Sequence, residues 1–75
     1  MYAKSKEISI LYHKMINSIY NDKRLSKLEK TFCLGREDGQ AYSLYKVKGI
    51  ISKQQYDRIS NHIYKMMRKL TEVSK

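Results

Sequence analysis

Apolar residues recur at helical spacing along two long stretches of this chain, and less cleanly along a third. From Ile8 onward, Ile8, Leu11, Tyr12, Met15, Ile16, Ile19 and Tyr20 follow the i, i+3, i+4, i+7 rule. The pattern predicts a first helix capped by Ser5 and reaching about Asn21, with residues 1–4 loose ahead of it. Lys6, Ser9, His13 and Asn17 fall on its opposite side. Towards the other end, Tyr56, Ile59, Ile63, Met66, Met67 and Leu70 make the apolar stripe of a helix from Lys53 to about Val73.

The start of that last helix is well marked. Gly49 is placed as the left-handed residue that closes a preceding short helix, and Ile50 and Ile51 cross the turn. Ser52 and Gln55 have the spacing of a capping box, with Ile51 and Tyr56 placed as a hydrophobic staple around it.

The middle reads two ways. Asn21-Asp22 punctuates, Ser26 and Glu29 form a second capping box, and Leu25, Leu28 and Phe32 share a helical face that Gly35 could end. Thr31-Phe32-Cys33-Leu34 is also β-prone, and Arg36-Glu37-Asp38-Gly39 offers a turn that would pair residues 30–34 with 41–47. The helical reading is preferred, because Ala41, Leu44, Tyr45 and Lys48 run smoothly into the Gly49 stop. The expected fold is therefore a single all-α domain over residues 1–75, of three or four helices, with the long first and last helices packed antiparallel. The alternative is an α+β domain with a hairpin at 30–47.

Length sharpens the question of stability. A chain of 75 residues buries only about 60% of its unfolded surface and has a marginal core. Cys33 is alone, so no disulfide helps, and His13 and His62 have no partner at metal-ligand spacing; no metal and no cofactor are expected. Helix packing is left to hold the domain, with self-association into a homodimer as a further means. The absence of proline and the presence of only three glycines suit helices.

Charge changes the picture most. Sixteen Lys and Arg against seven Asp and Glu give a net charge of +9, which points to an anionic partner, either nucleic acid or an acidic protein surface. Codon drift in an AT-rich genome can also make a chain lysine-rich without such a partner. No apolar run approaches the roughly 20 residues of a membrane span, and the basic N-terminus lacks the apolar core of a signal peptide. With one free cysteine, the expected location is a reducing cytoplasm.

Arg58, His62, Lys65 and Lys69, spaced by 4, 3 and 4, fall on one side of the last helix with Asn61 and Arg68 alongside. A basic helix side of this kind can lie along phosphates or in a major groove. Tyr42 and Tyr45 interleave with Lys46 and Lys48, a mixture that can stack on bases or anchor a protein contact. His13 and His62 read as isolated surface histidines, Cys33 as a small core residue, and Glu37 and Asp38 as turn residues. No phosphate loop, nucleophile elbow or metal box is present in the sequence, so the chain is not expected to be an enzyme.

The Gly49 hairpin does not fit a DNA-binding helix-turn-helix. The residue four before the glycine, Tyr45, should be small, and the residue six after it, Gln55, should be apolar. Residues 44–63, LYKVKGIISKQQYDRISNHI, instead resemble the short helix–turn–helix segment called SHOCT, and similar pieces of small phage proteins. Leu44, Lys48, Gly49, Ile50, Ile51, Ser52, Gln55 and Tyr56 carry the resemblance, while Lys53 and Gln54 stand where acidic residues are usual. The resemblance covers about a third of the chain and implies a helical interaction module, of phage or mobile-element type. Two functions are open. The first is a nucleic-acid-binding accessory or regulatory protein using Arg58, Asn61, His62, Lys65, Arg68 and Lys69. The alternative is an inhibitor or adaptor that binds host machinery, such as a polymerase, a replication factor or a defence nuclease of the CRISPR-effector kind, through Tyr42, Tyr45, Lys46 and Lys48. The basic residues divide evenly, eight in positions 1–37 and eight in 38–75, which weakens the first function.

Overall fold

The computed structural model describes residues 2–73, with side chains from 6 to 72. Three helices follow one another: α1 (Tyr2–Asn21), α2 (Lys27–Lys46) and α3 (Lys53–Val73). No strand occurs among the described residues, so the hairpin at 30–47 is not formed. The first helix begins at Tyr2, so Ser5 lies within it, not at its cap, and residues 2–4 are helical. Ala3, Lys4, Lys6 and Glu7 are good helix formers, and no breaker stands among them to delay the start.

Both connections are fixed by short polar devices. Asp22 Oδ1 accepts from the Arg24 backbone N–H at 2.9 Å, a local turn that lets the chain reverse. The Ser26 hydroxyl then accepts from the Glu29 N–H at 3.1 Å, and Glu29 accepts from the Ser26 N–H at 2.8 Å, completing the first capping box. At the second connection Gly49 takes φ +64°, as its position after the helix implied. Ile50 N–H reaches back to the Leu44 carbonyl at 2.8 Å and Lys48 N–H to Ser43 at 3.0 Å, so two of the last four carbonyls of α2 are satisfied. Ser52 and Gln55 form the second capping box at 3.1 and 2.9 Å.

The middle segment is one continuous helix that passes through Gly35 and Gly39. Its turn signals lose to its core-facing stripe. Leu34, Glu37 and Ala41, spaced by 3 and 4, are buried, and Leu44 and Tyr45 extend the same face. Glu37 and Asp38 are therefore not turn residues. Glu37 is buried between Leu34 and Ala41, and Asp38 accepts a hydrogen bond from the Tyr56 hydroxyl at 3.1 Å. Leu28 and Phe32 project the other way and are exposed, and Cys33 is half-buried outside the core.

Short connections make each helix antiparallel to the one before it, so α1 and α3 run parallel, not antiparallel. The side chains agree: Lys6, Ser9 and His13 of α1 line one cleft with Gln55 and Arg58 of α3, and further along Asn17 meets His62. The core is a column of Tyr12 and Ile16 from α1, Leu34 and Ala41 from α2, and Ile51, Ile59, Ile63, Met66 and Leu70 from the turn and α3. Ile16, Leu34, Ile59 and Ile63 are its fully buried members. Tyr64, beside the α3 stripe, stays mostly exposed, as do Leu11 and, to a lesser degree, Met15 on α1.

Glu37 is the anomaly of this core. It is 7% exposed, and its Oε1 has no hydrogen-bond partner. Burial, followed by the charge of Glu37, pushes the Tyr12 phenol above its ordinary pKa. Two substitutions should therefore move stability in opposite directions in urea melts. Ile16→Ala or Ile63→Ala should cost roughly 2–5 kcal/mol, because each empties a fully buried site. Glu37→Leu should gain about 1 kcal/mol by replacing an unsatisfied buried carboxylate with an apolar group of similar size.

Candidate functional site

The parallel run of α1 and α3 brings two polar flanks together. On α1, Lys6, Ser9, His13 and Asn17 recur every three or four residues, the side the sequence places opposite the apolar stripe. That side does not simply face water, because its edge turns towards α3. Lys6, Ser9, Ile10 and His13 line a cleft of about 540 Å³ with Ser52, Gln54, Gln55 and Arg58. None of these residues is acidic, and the cleft opens beside the capped N-terminus of α3.

His13 of the cleft lining meets His62, far away in sequence. His13 Nδ1 lies 2.7 Å from His62 Nδ1. The ring centroids are 4.9 Å apart and the planes 23° from parallel. The short N···N vector spans most of the centroid separation, so the rings meet edge to edge in a nearly straight N–H···N hydrogen bond. His62 Nε2 is 3.2 Å from Asn17 Oδ1, an acceptor. This assigns the tautomers: neutral His62 carries its proton on Nε2 and donates to Asn17, leaving Nδ1 to accept from His13 Nδ1–H. A proton added at His62 Nδ1 sets two N–H groups against each other and breaks it.

Electrostatics agree with this geometry. The His62 pKa is lowered from its ordinary 6.5, first by burial and then by the charges of His13, Lys65 and Lys69. Lys65 and Lys69 thus stand near enough to His62 to act on it, beyond the cleft that Arg58 lines. Of the residues singled out on α3, Arg58, His62, Lys65 and Lys69 gather along the α1 side. Asn61 and Arg68 are exposed and lie further round the helix. The sequence alone missed the contribution of α1, Lys6 and His13 above all. A signal was present: His13 directly follows the core residue Tyr12 and His62 directly precedes Ile63, and such flanking positions face a neighbouring helix.

The tyrosine cluster is a separate feature at the α2–α3 turn. Tyr45 and Tyr56 stack at 5.8 Å, and Tyr42 meets both edge-on at 6.1 and 5.5 Å. Lys46 Nζ sits 6.0 Å from the Tyr45 ring, and Lys48 is exposed. Tyr45 and Tyr56 are packed against the core, whereas Tyr42 keeps about half of its surface in water. No group of three or more His, Cys, Asp or Glu side chains that could hold a metal gathers among the described residues. No helix among them is long and apolar enough to cross a membrane.

Comparison with known protein families, curated proteins and solved structures returned no match to this chain.

The histidine pair makes stability depend on pH. Because the folded-state pKa of His62 is lowered, the unfolded chain binds the proton more readily. Stability should be full above about pH 6.5 and fall as the pH drops below it, levelling off below the depressed folded value. Thermal melts across this range should show the decline, and His62→Gln should flatten it.

Proposed function

We propose that this chain is a small non-catalytic protein that binds nucleic acid, as an accessory or regulatory factor, through the groove between α1 and α3. The observation that carries the reading is the convergence of cations from two helices on one polar cleft: Lys6 from α1, and Arg58, with Lys65 and Lys69 nearby, from α3. A single basic helix side could be merely solvated. Two flanks that meet over a cleft without acidic lining residues form a track that a phosphate backbone can follow, and each neutralised phosphate releases counterions. The Ser9 hydroxyl and the Arg58 guanidinium supply hydrogen-bond donors suited to phosphate oxygens.

A protein-binding reading rests on a different surface. At the α2–α3 turn Val47 is 76% exposed, with Ile50 and Tyr42 also open to water beside Lys46 and Lys48. Such an apolar patch with a basic rim suits an acidic protein partner, where aromatic and aliphatic anchors supply most of the energy.

Salt dependence separates the two. If Lys6, Arg58, Lys65 and Lys69 neutralise about four phosphates, log Kd against log salt should have a slope of magnitude roughly 3 to 4. Lys65→Ala/Lys69→Ala should remove about two units of that slope, while Tyr42→Ala should leave it unchanged. Titrating labelled single-stranded and duplex DNA and RNA at several salt concentrations measures this. Weak binding that is indifferent to the double substitution would discard the groove as a nucleic-acid site.

A further inference from the structure

Four residues of α2 stand out on its exposed side. Gly35 and Gly39 lie in the helix interior, where glycine weakens a helix relative to alanine. Neither has positive φ. A Cβ at Gly39 would meet nothing within 4 Å, and one at Gly35 would make only ordinary contact with Met67 Cε at 3.8 Å. Nothing inside the fold therefore demands either glycine. Leu28 and Phe32 are large and apolar, yet 79% and 78% exposed. The order 28, 32, 35, 39, spaced by 4, 3 and 4, puts all four on one stripe. That stripe lies on the side of α2 away from the buried Leu34, Glu37 and Ala41.

The stripe is complementary to itself. Its spacing is symmetric about the midpoint between Cys33 and Leu34, with two large residues before that point and two glycines after it. When two copies of α2 meet antiparallel across a two-fold axis, Phe32 lies over the partner's Gly35 and Leu28 over the partner's Gly39. Each knob meets a gap, twice. Charge complements the same pairing, with Glu29 two residues off the level of the partner's Arg36. Glu29 and Arg36 are both exposed and flank the stripe seven residues apart, so the antiparallel arrangement sets Glu29 beside the partner's Arg36 at each end. A parallel pairing would instead set Phe32 against the partner's Phe32, with the glycines left facing one another.

We infer that the outer face of α2 is the contact for a second copy of this chain, in a two-fold antiparallel helix pair that seats Phe32 and Leu28 against Gly35 and Gly39. The face lies opposite the α1–α3 groove, so pairing leaves both grooves open on the outer sides of the dimer. The inference stands whether or not that groove binds nucleic acid.

Sedimentation velocity on the full chain, from low micromolar to near-millimolar concentration, tests it. The wild-type chain should pass from monomer to dimer across the range. Phe32→Ala should weaken the dimer about tenfold or more. Gly39→Leu should abolish the dimer while its circular dichroism stays helical and its melting temperature at low concentration holds or rises, since the new side chain meets nothing within the fold. Arg36→Glu should weaken the dimer as well, by placing two carboxylates together. A wild-type chain that stays monomeric throughout, or a dimer that survives both Phe32→Ala and Gly39→Leu, would overturn the assignment.

Discussion

The layer formed by Ile16, Leu34, Ile59 and Ile63 is the contact on which the rest of the molecule depends. Each helix contributes at least one side chain to it, and each of these side chains is fully buried. A 20-residue helix of ordinary composition is marginal in water by itself. These helices persist because each buries a stripe against the other two. Once that layer is set, the rotation of every helix is set with it, and so is the face that each of the remaining residues occupies.

The charges illustrate this dependence. With Ile16 and Ile63 turned inward, His13 and His62 come to lie against each other at the α1–α3 edge. Lys6 and Arg58 follow, because they occupy the same flanks of the same helices. The short connections contribute equally, since they force α1 and α3 to run in the same direction. An antiparallel α1 and α3 would have placed Lys6 near the far end of α3 and dispersed the groove. The groove is thus a product of core packing and chain reversal, and it has no local sequence motif.

The same layer leaves its costs visible. Glu37 occupies a core position between Leu34 and Ala41 with one carboxylate oxygen unsatisfied. Gly35 and Gly39 weaken the helix they sit in, and Leu28 and Phe32 keep apolar surface in water. A domain of this size has little stability to spare. The glycines and exposed apolar side chains, lying on one face, make sense together as a surface shaped for contact.

By itself the sequence determined most of what has a local cause, although the start of α1 was misplaced at Ser5. The apolar periods of α1 and α3, the two capping boxes and the left-handed Gly49 each depend on residues within a turn or two of one another. Even where local signals conflicted, at Gly35 and Asp38-Gly39, the smooth run of Ala41, Leu44 and Tyr45 already favoured a helix. Tertiary structure decided what depends on residues distant in the chain. It joined the middle segment into one helix, because burial of Leu34 and Ala41 against two neighbours outweighs two glycines. It made α1 and α3 parallel, buried Glu37, and turned two apparently isolated histidines, 49 positions apart, into a hydrogen-bonded pair. Periodicity specifies which side of a helix is apolar. It does not specify which other helix that side meets, and the pairing of His13 with His62 is a consequence of that meeting alone.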